Sequence, residues 1–458
     1  MTTNQVLDEL RAALPAKVVI TDPALLADRI TDVSGVKASD SPLALLRFTK
    51  TDQVAPAMRI AAAHAVQVVP QGSLSGLAGA GSAVDGALLF DLSQLNKILL
   101  IDDVEQVAVV EPGVIVADLQ DAVLRAGLFY PRDPASVKVA SIGGTIATNA
   151  GGVRAVKYGV TRDWVRSLEV VLADGAEIST RPRTIKSVAG YDLTSLIVGS
   201  EGTLGIVTQI TVSLLPEPGP GRAVTGVFAS VADALEAADA IVGGATRPSS
   251  LELLDAGVLA ALRTYGFTDF PEQAEAWLFA APDERGDDEG TLASFKAAMA
   301  TSGALDIQQA NSSEETAALM AARRAFQPAT RSLRGGSYNG DVCVPRTRLR
   351  ELCERIPLIA QKHGALIATG GHAGDGNLHP VVMYAPQDDA QVRAAELAQT
   401  ELLELATELE GTVTGEHGVG LEKPPALDAQ LGETVRELQR RIKHALDPQG
   451  ILNPGKKI

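Results

Sequence analysis

Ser141-Ile-Gly-Gly-Thr-Ile-Ala-Thr-Asn-Ala-Gly-Gly152 carries no charge and four glycines, and it shows neither a helical nor a strand period. Glycine tolerates φ > 0 and lets backbone approach a ligand closely. Successive exposed N–H groups form a concavity suited to anionic oxygens, above all phosphate. The stretch therefore reads as half of a cradle for a large phosphorylated cofactor, or else as a tight turn between strands. Its companions decide between the two.

Two further glycine-rich, uncharged or nearly uncharged loops flank it. Val66–Pro70, a short buried strand, runs into Gln71-Gly-Ser-Leu-Ser-Gly-Leu-Ala-Gly-Ala-Gly81. Gly199-Ser-Glu-Gly-Thr-Leu-Gly205 opens into the alternating strand Thr208–Leu215. None spells G-x-G-x-x-G or a P-loop, so neither a Rossmann dinucleotide site nor an ATPase is supported. Asp22-Pro23 reads as a helix N-cap with a first-turn proline, and Asp174-Gly175 as a hairpin.

The chain has 458 residues, enough for two to four domains, and a formal net charge of −16. That charge argues against nucleic acid or an anionic membrane as a non-specific partner. Two cysteines, Cys343 and Cys353, exclude a disulfide framework and a self-contained four-cysteine iron–sulfur cluster. No secretory h-region or membrane span is legible, so a cytoplasmic location is expected. Pro216-Glu-Pro-Gly-Pro-Gly221 is the clearest linker. It divides a cofactor domain, residues 1–221, from a second domain of residues 222–410. Beyond the linker, Ala223–Phe228 and Ala276–Ala281 read as strands, Ser313–Arg331 as one helix, and Asp283–Glu289 as a solvated acidic loop. This second domain is expected to be α+β with a modest antiparallel sheet.

Three of the six histidines lie in glycine-rich segments late in the chain. Strands Ala365–Gly371 and Leu378–Tyr384 flank His372-Ala-Gly-Asp-Gly-Asn-Leu-His379, with Pro380 requiring an edge or bulge position. A turn through Gly374–Gly376 brings His372 and His379 face to face. Gly415-Glu416-His417-Gly418 adds a carboxylate and a third imidazole. His372, His379 and Glu416 form an N,N,O set for a first-row metal. His417 is left as a general base, and Asp375, at the tip, reads as a turn residue with a ligand role as its alternative. The bland alternative is a set of turn histidines bonded to backbone. His64, His363 and His444 read as helical and structural.

These motifs together resemble the vanillyl-alcohol-oxidase (PCMH) type of FAD protein, in the branch of D-2-hydroxyacid dehydrogenases and oxidases. The resemblance implies an α+β fold: an FAD-binding domain of two α+β subdomains, a cap formed by residues 222–410 with a ferredoxin-like antiparallel sheet, and a segment, 411–458, that returns to the FAD-binding domain. It implies FAD contacts from Pro70, Gln71, Gly72, Ser73, Leu74, Ser75 and Gly76. It further implies them from Pro134, Ser136, Gly143, Gly144, Ala147, Thr148, Asn149, Gly151, Gly152, Tyr158 and Gly159. The third motif and the tail add Glu201, Gly202, Leu204, Gly205, Ile206 and Asn453. The first loop has no histidine, so non-covalent FAD is expected. The metal at His372, His379 and Glu416 is expected to be divalent, zinc first. Arg323 matches the family's carboxylate clamp, with the neighbouring Arg324 as the alternative, and Gln327 and Asn339 are implied to line the substrate pocket with His417. Relatives acting on dicarboxylates carry lysine where this chain has Asn339, so a small monocarboxylate, D-lactate first, is favoured over 2-hydroxyglutarate; glycolate is the other candidate. Competing classes are a zinc hydrolase and a non-catalytic nucleotide-binding module. The expected partners are the 2-hydroxyacid, an electron acceptor that the sequence does not identify, and a second copy in a homodimer.

Overall fold

The computed structural model describes residues 3–219, 221–267, 270–286 and 288–458. Pro220 of the linker and Asp287 of the acidic loop thus lie outside the described residues. The chain divides into two compact units. One comprises residues 1–151, 160–217 and 416–458, the other 152–159 and 218–415.

Among the described residues the first unit holds two larger sheets and one two-stranded pair. β1 (Val19–Ile20), β2 (Ala44–Arg47), β3 (Val68–Gln71) and β4 (Leu88–Asp91) run in the order β1-β2-β4-β3. β2, β4 and β3 are parallel and β1 is antiparallel. The helix Val54–Ala63 covers this sheet with Val54, Met58 and Ala61, while Phe48 and Phe90 meet edge to face at 5.0 Å. Asp22 caps the helix Pro23–Ala27 as its sequence predicts. β5 (Ile98–Asp102), β6 (Val107–Val110), β8 (Val165–Val171), β9 (Glu177–Ser179) and β10 (Ile206–Ser213) form an antiparallel sheet in the order β5-β6-β10-β8-β9. β7 (Leu128–Phe129) and β11 (Leu215–Pro216) pair separately.

The opening stretch is not a loop. Ile142–Thr148 is a helix, N-capped by the Ser141 side chain and closed by Asn149 at φ 54°. Ile142 and Ile146 enter the core of the second sheet. Gly143 is there for space rather than for a positive φ: a Cβ would stand 2.6 Å from the Pro112 ring. The helix penalty of glycine, about 1 kcal/mol, is offset by that backbone contact and the buried isoleucines.

The second unit is built on an eight-stranded antiparallel sheet, larger than expected. Its strands are β12 (Ala223–Phe228), β13 (Ser250–Asp255), β14 (Ala276–Ala281), β15 (Asp306–Ala310), β16 (Gly336–Asn339), β17 (Val342–Cys343), β18 (Leu366–His372) and β19 (Asn377–Tyr384). The order is β15-β12-β14-β13-β18-β19-β16, with β17 also on β19. Side chains alternate across a strand. Leu251, Leu253, Leu278, Leu378 and Val382 pack with helices Val231–Val242, Leu349–His363 and Asp389–Glu408. Leu254, Trp277, Phe279, Val381 and Met383 face helices Ala256–Tyr265 and Phe326–Arg334. Pro380 sits where the partner of β19 changes from β16 to β17, an interruption that spares the missing N–H.

Two expectations are corrected here. Ser313–Arg331 is three helices, Ser313–Leu319, Ala321–Arg324 and Phe326–Arg334, because ψ relaxes to −8° at Met320 and −6° at Ala325. The acidic loop is not simply solvated: Asp283 accepts from Lys157 Nζ and from Tyr158 Oη, and Asp288 pairs with Arg222. Among the described residues no helix is long and apolar enough to cross a membrane.

Candidate active site

Within the first unit the three glycine segments are tied into one assembly. Gln71, 1 % exposed, donates from Nε2 to Gly81 O at 2.7 Å and to Arg29 O at 2.9 Å, closing the mouth of the first loop. Arg29 donates to Gly72 O at 3.0 Å and pairs with the buried Asp91. Ser73 Oγ accepts from Ser141 N at 3.2 Å, and a Cβ on Gly72 would stand 2.6 Å from Ser141 Oγ. The third segment closes on both others: Gly199 N and Glu201 N donate to Ile146 O and Ala147 O at 2.8 Å, and Gly202 packs on Pro70. Thr148 lies on the same helix, Asn149 Oδ1 accepts from Arg162 N, and Pro134 and Ser136 form the turn before it. Leu204 and Ile206 enter the core beside Gly205, whose α-carbon faces Val170.

Glu201 is the knot. It is 2 % exposed, sits at φ 55°, and accepts from Val419 N and Gly420 N at 2.8 Å and from Lys457 Nζ at 3.2 Å. Asn453 donates to Glu201 O at 2.6 Å and Ala80 O at 3.0 Å. Lys456 donates to Ser82 O and Asn453 Oδ1; burial pushes its ammonium down to about 7. The Glu416 carboxylate lies against Gly151, where a Cβ would stand 2.6 Å from Oε2. His417 is half-buried on the same turn. Gly152, Tyr158 and Gly159 fall in the segment 152–159, grouped with the second unit; the Tyr158 hydroxyl bonds Asp283 at 2.5 Å.

In the second unit, strand register places a row of polar side chains on one face. Glu252 is opposite His372, which is opposite Asn377; His379 is opposite Gly370, and Asn339 is opposite Val381. Opposed residues share a face. Glu252, His372, His379 and Asn339 therefore come from four neighbouring strands onto one surface. The two histidines are diagonal rather than face to face, with ring centroids 5.3 Å apart at 90°. His372 Nδ1 donates to Glu252 Oε1 at 2.6 Å, and His379 Nδ1 to Gly340 O at 3.3 Å. A donor at Nδ1 fixes the tautomer with its lone pair at Nε2, the form a metal takes. The donor chemistry thus fits a divalent ion. Asp375 bonds Asn377 N as a turn residue.

Glu252 Oε2 also accepts from Arg323 Nε at 2.7 Å, and the guanidinium stacks near Phe326. Among the described residues no protein hydrogen bond engages the Arg323 Nη groups. Arg324 is exposed, and among the described residues its side chain donates only to Ala317 O. Gln327 is exposed on the next helix, and Asn339 Oδ1 accepts from Ser337 Oγ at 3.5 Å. Two carboxylates escaped the sequence reading. Glu252 reads as one acid in an apolar strand, Leu-Glu-Leu-Leu-Asp. Asp341, fully buried, accepts from Asn377 Nδ2 at 2.9 Å and Thr414 Oγ1 at 2.7 Å, and its Oδ1 lies 3.9 Å from His379 Nδ1.

Residues 42–181 match the FAD binding domain family, and 218–457 the FAD linked oxidases, C-terminal domain. The chain is 40 % identical over 416 residues to the glycolate oxidase subunit GlcD of Bacillus subtilis, covering 91 % of this chain and 88 % of that one. It is 29 % identical to a D-lactate dehydrogenase of Anaerostipes hadrus, covering 99 % and 97 %. A p-cresol methylhydroxylase structure with substrate bound shares the fold at a TM-score of 0.79 and 19 % identity, over 99 % and 96 % of the two chains. Three interlocked glycine segments, a histidine hairpin and these matches converge: the chain belongs to the vanillyl-alcohol-oxidase (PCMH) type of FAD-linked oxidoreductases that act on CH–OH groups.

Proposed function

We propose that the chain oxidises a small D-2-hydroxymonocarboxylate, D-lactate first, to the 2-oxoacid. The observation that carries this is Glu252 holding Arg323 and His372 together beside His379 on one sheet face. An α-hydroxycarboxylate needs a cationic fork for its carboxylate, and arginine's planar donors suit it. With Nε held by Glu252, Arg323 turns its Nη edge to that role. His372 and His379, joined by Glu416, are the proposed ligands of a divalent metal, zinc first. Bound FAD supplies hydride-accepting chemistry, and a bound metal supplies Lewis acidity at the substrate hydroxyl. His417 is assigned to take the hydroxyl proton, since imidazole titrates near neutrality. Gln327 and Asn339 line the acid's far side. Asn339 offers a second carboxylate no charge, which favours a monocarboxylate. Glycolate is the second reading, because the relative matched at 40 % identity is named a glycolate oxidase subunit.

Dye-coupled kinetics on D-lactate, glycolate and D-2-hydroxyglutarate test the assignment. kcat/KM on one of the first two should exceed that on D-2-hydroxyglutarate at least about tenfold, about 1.4 kcal/mol, and Asn339→Lys should narrow the gap. Equal use of D-2-hydroxyglutarate by the unaltered chain would overturn the monocarboxylate assignment. Full turnover of an ester or amide with no flavin in the protein would point to the hydrolase instead.

A further inference from the structure

We propose that Glu252 is a positioning residue that couples the carboxylate clamp to the metal-binding histidines; the inference rests on the oxidation reading above. Its strand alternates Leu251 and Leu253 into one core with Leu254 into the other, and Glu252 itself is fully buried. A carboxylate there costs several kcal/mol unless both oxygens are met by charged or strong donors. Oε1 meets His372 Nδ1 at 2.6 Å and Oε2 meets Arg323 Nε at 2.7 Å. The three residues lie 71 and 120 positions apart in the chain, so only the strand register brings them together.

An ion pair serving stability alone would need only Glu252 and Arg323. The third member is what gives the carboxylate a function. His372 stands edge-on to His379 at 5.3 Å, so a shift of Glu252 rotates a ring whose Nε2 must aim at the metal. The same shift releases the Arg323 fork. One acid therefore sets the relative placement of the groups that grip the two ends of an α-hydroxycarboxylate.

Glu252→Gln keeps the shape but makes a neutral amide. Its oxygen can accept from one donor, and its NH2 then confronts the other. On flavin-loaded protein, zinc affinity measured by equilibrium dialysis against Zn(II) alone should fall on the order of ten- to a hundredfold, the usual cost of losing a partner behind a histidine ligand. KM for D-lactate or glycolate should rise about tenfold, with FAD content unchanged. Unaltered zinc affinity and KM would overturn the inference. Glu252→Asp, which retracts the charge by one methylene, gives a second variant and should show the same changes at smaller size. Histidine 15N shifts, read without metal or substrate, separate this inference from the functional reading. His372 should be the Nδ1–H tautomer in the unaltered chain and lose that signature in Glu252→Gln. If the signature persisted, the inference would fail even with the oxidation reading intact. If the unaltered chain bound no zinc and oxidised no hydroxyacid while the tautomer still depended on Glu252, the functional reading alone would fail.

Discussion

The glycine assembly of the first unit and the polar row of the second solve different problems with different parts of the chain. The glycine segments work through backbone. Gly72, Gly143, Gly151 and Gly202 each leave space that a Cβ would fill, and one buried carboxylate, Glu201, gathers two backbone N–H groups. The polar row works through side chains, and its carboxylate, Glu252, gathers a guanidinium and an imidazole. A cofactor with many phosphate oxygens suits the first arrangement, and a small acid with one carboxylate and one hydroxyl suits the second. The two regions should therefore fail differently when broken.

The largest effect is expected from His372→Ala, which should lower kcat on the order of a thousandfold, about 4 kcal/mol, while FAD still elutes with the protein. Loss of FAD in that variant would blur the separation of the two regions. Glu201→Ala should do the reverse. It leaves Val419 N and Gly420 N without their acceptor, at about 1–3 kcal/mol for each buried donor, so thermal stability and flavin retention should drop together. Unchanged flavin retention would deny Glu201 its organising role.

The regions also differ in their response to pH. In the first unit burial holds Lys456 at about 7, below its unfolded value of about 10.4. The unfolded chain binds the proton more tightly, so the penalty is complete below pH 7 and fades as pH rises toward 10, on the order of 4 kcal/mol in all. In the second unit burial raises Asp255 to about 6, above its unfolded value of about 3.9. Here the folded chain binds the proton more tightly, so stability is lost as pH rises from about 4 to 6, on the order of 3 kcal/mol. Denaturant midpoints across pH should lose the alkaline rise in Lys456→Met and the acid-side fall in Asp255→Asn. The smallest contrast is within one helix. Arg323→Ala should raise KM about ten- to a hundredfold, the worth of a charged hydrogen bond. Arg324 is exposed, and among the described residues its side chain bonds only Ala317 O, so Arg324→Ala should stay within about twofold.

The same division explains what could be read in the sequence. Glycine spacing and the proline-rich linker are local signals, and they point to the three segments and to a break at Pro216–Gly221. Histidines around Gly-Asp-Gly are local too, and the hairpin follows. The helix Ile142–Thr148 was hidden because glycine composition reads as loop, while its stability comes from Pro112 and the core beneath it. Glu252 was hidden for a stronger reason. Nothing in Leu-Glu-Leu-Leu-Asp says that its strand will lie beside β18 in the register that meets His372. Asp341, which meets Asn377 and Thr414, is the same case. The histidine pair is a case in between: the sequence predicts it face to face, and the four-residue turn after His372 sets it diagonal to His379.

The most direct measurement is the absorption spectrum of the flavin-loaded protein, titrated anaerobically with D-lactate and with glycolate. The oxidised flavin bands should bleach with one of these acids at a stoichiometry of one per flavin. In His372→Ala the bleaching by either acid should be slower on the order of a thousandfold. A protein that retains FAD yet is reduced by neither acid would contradict the account.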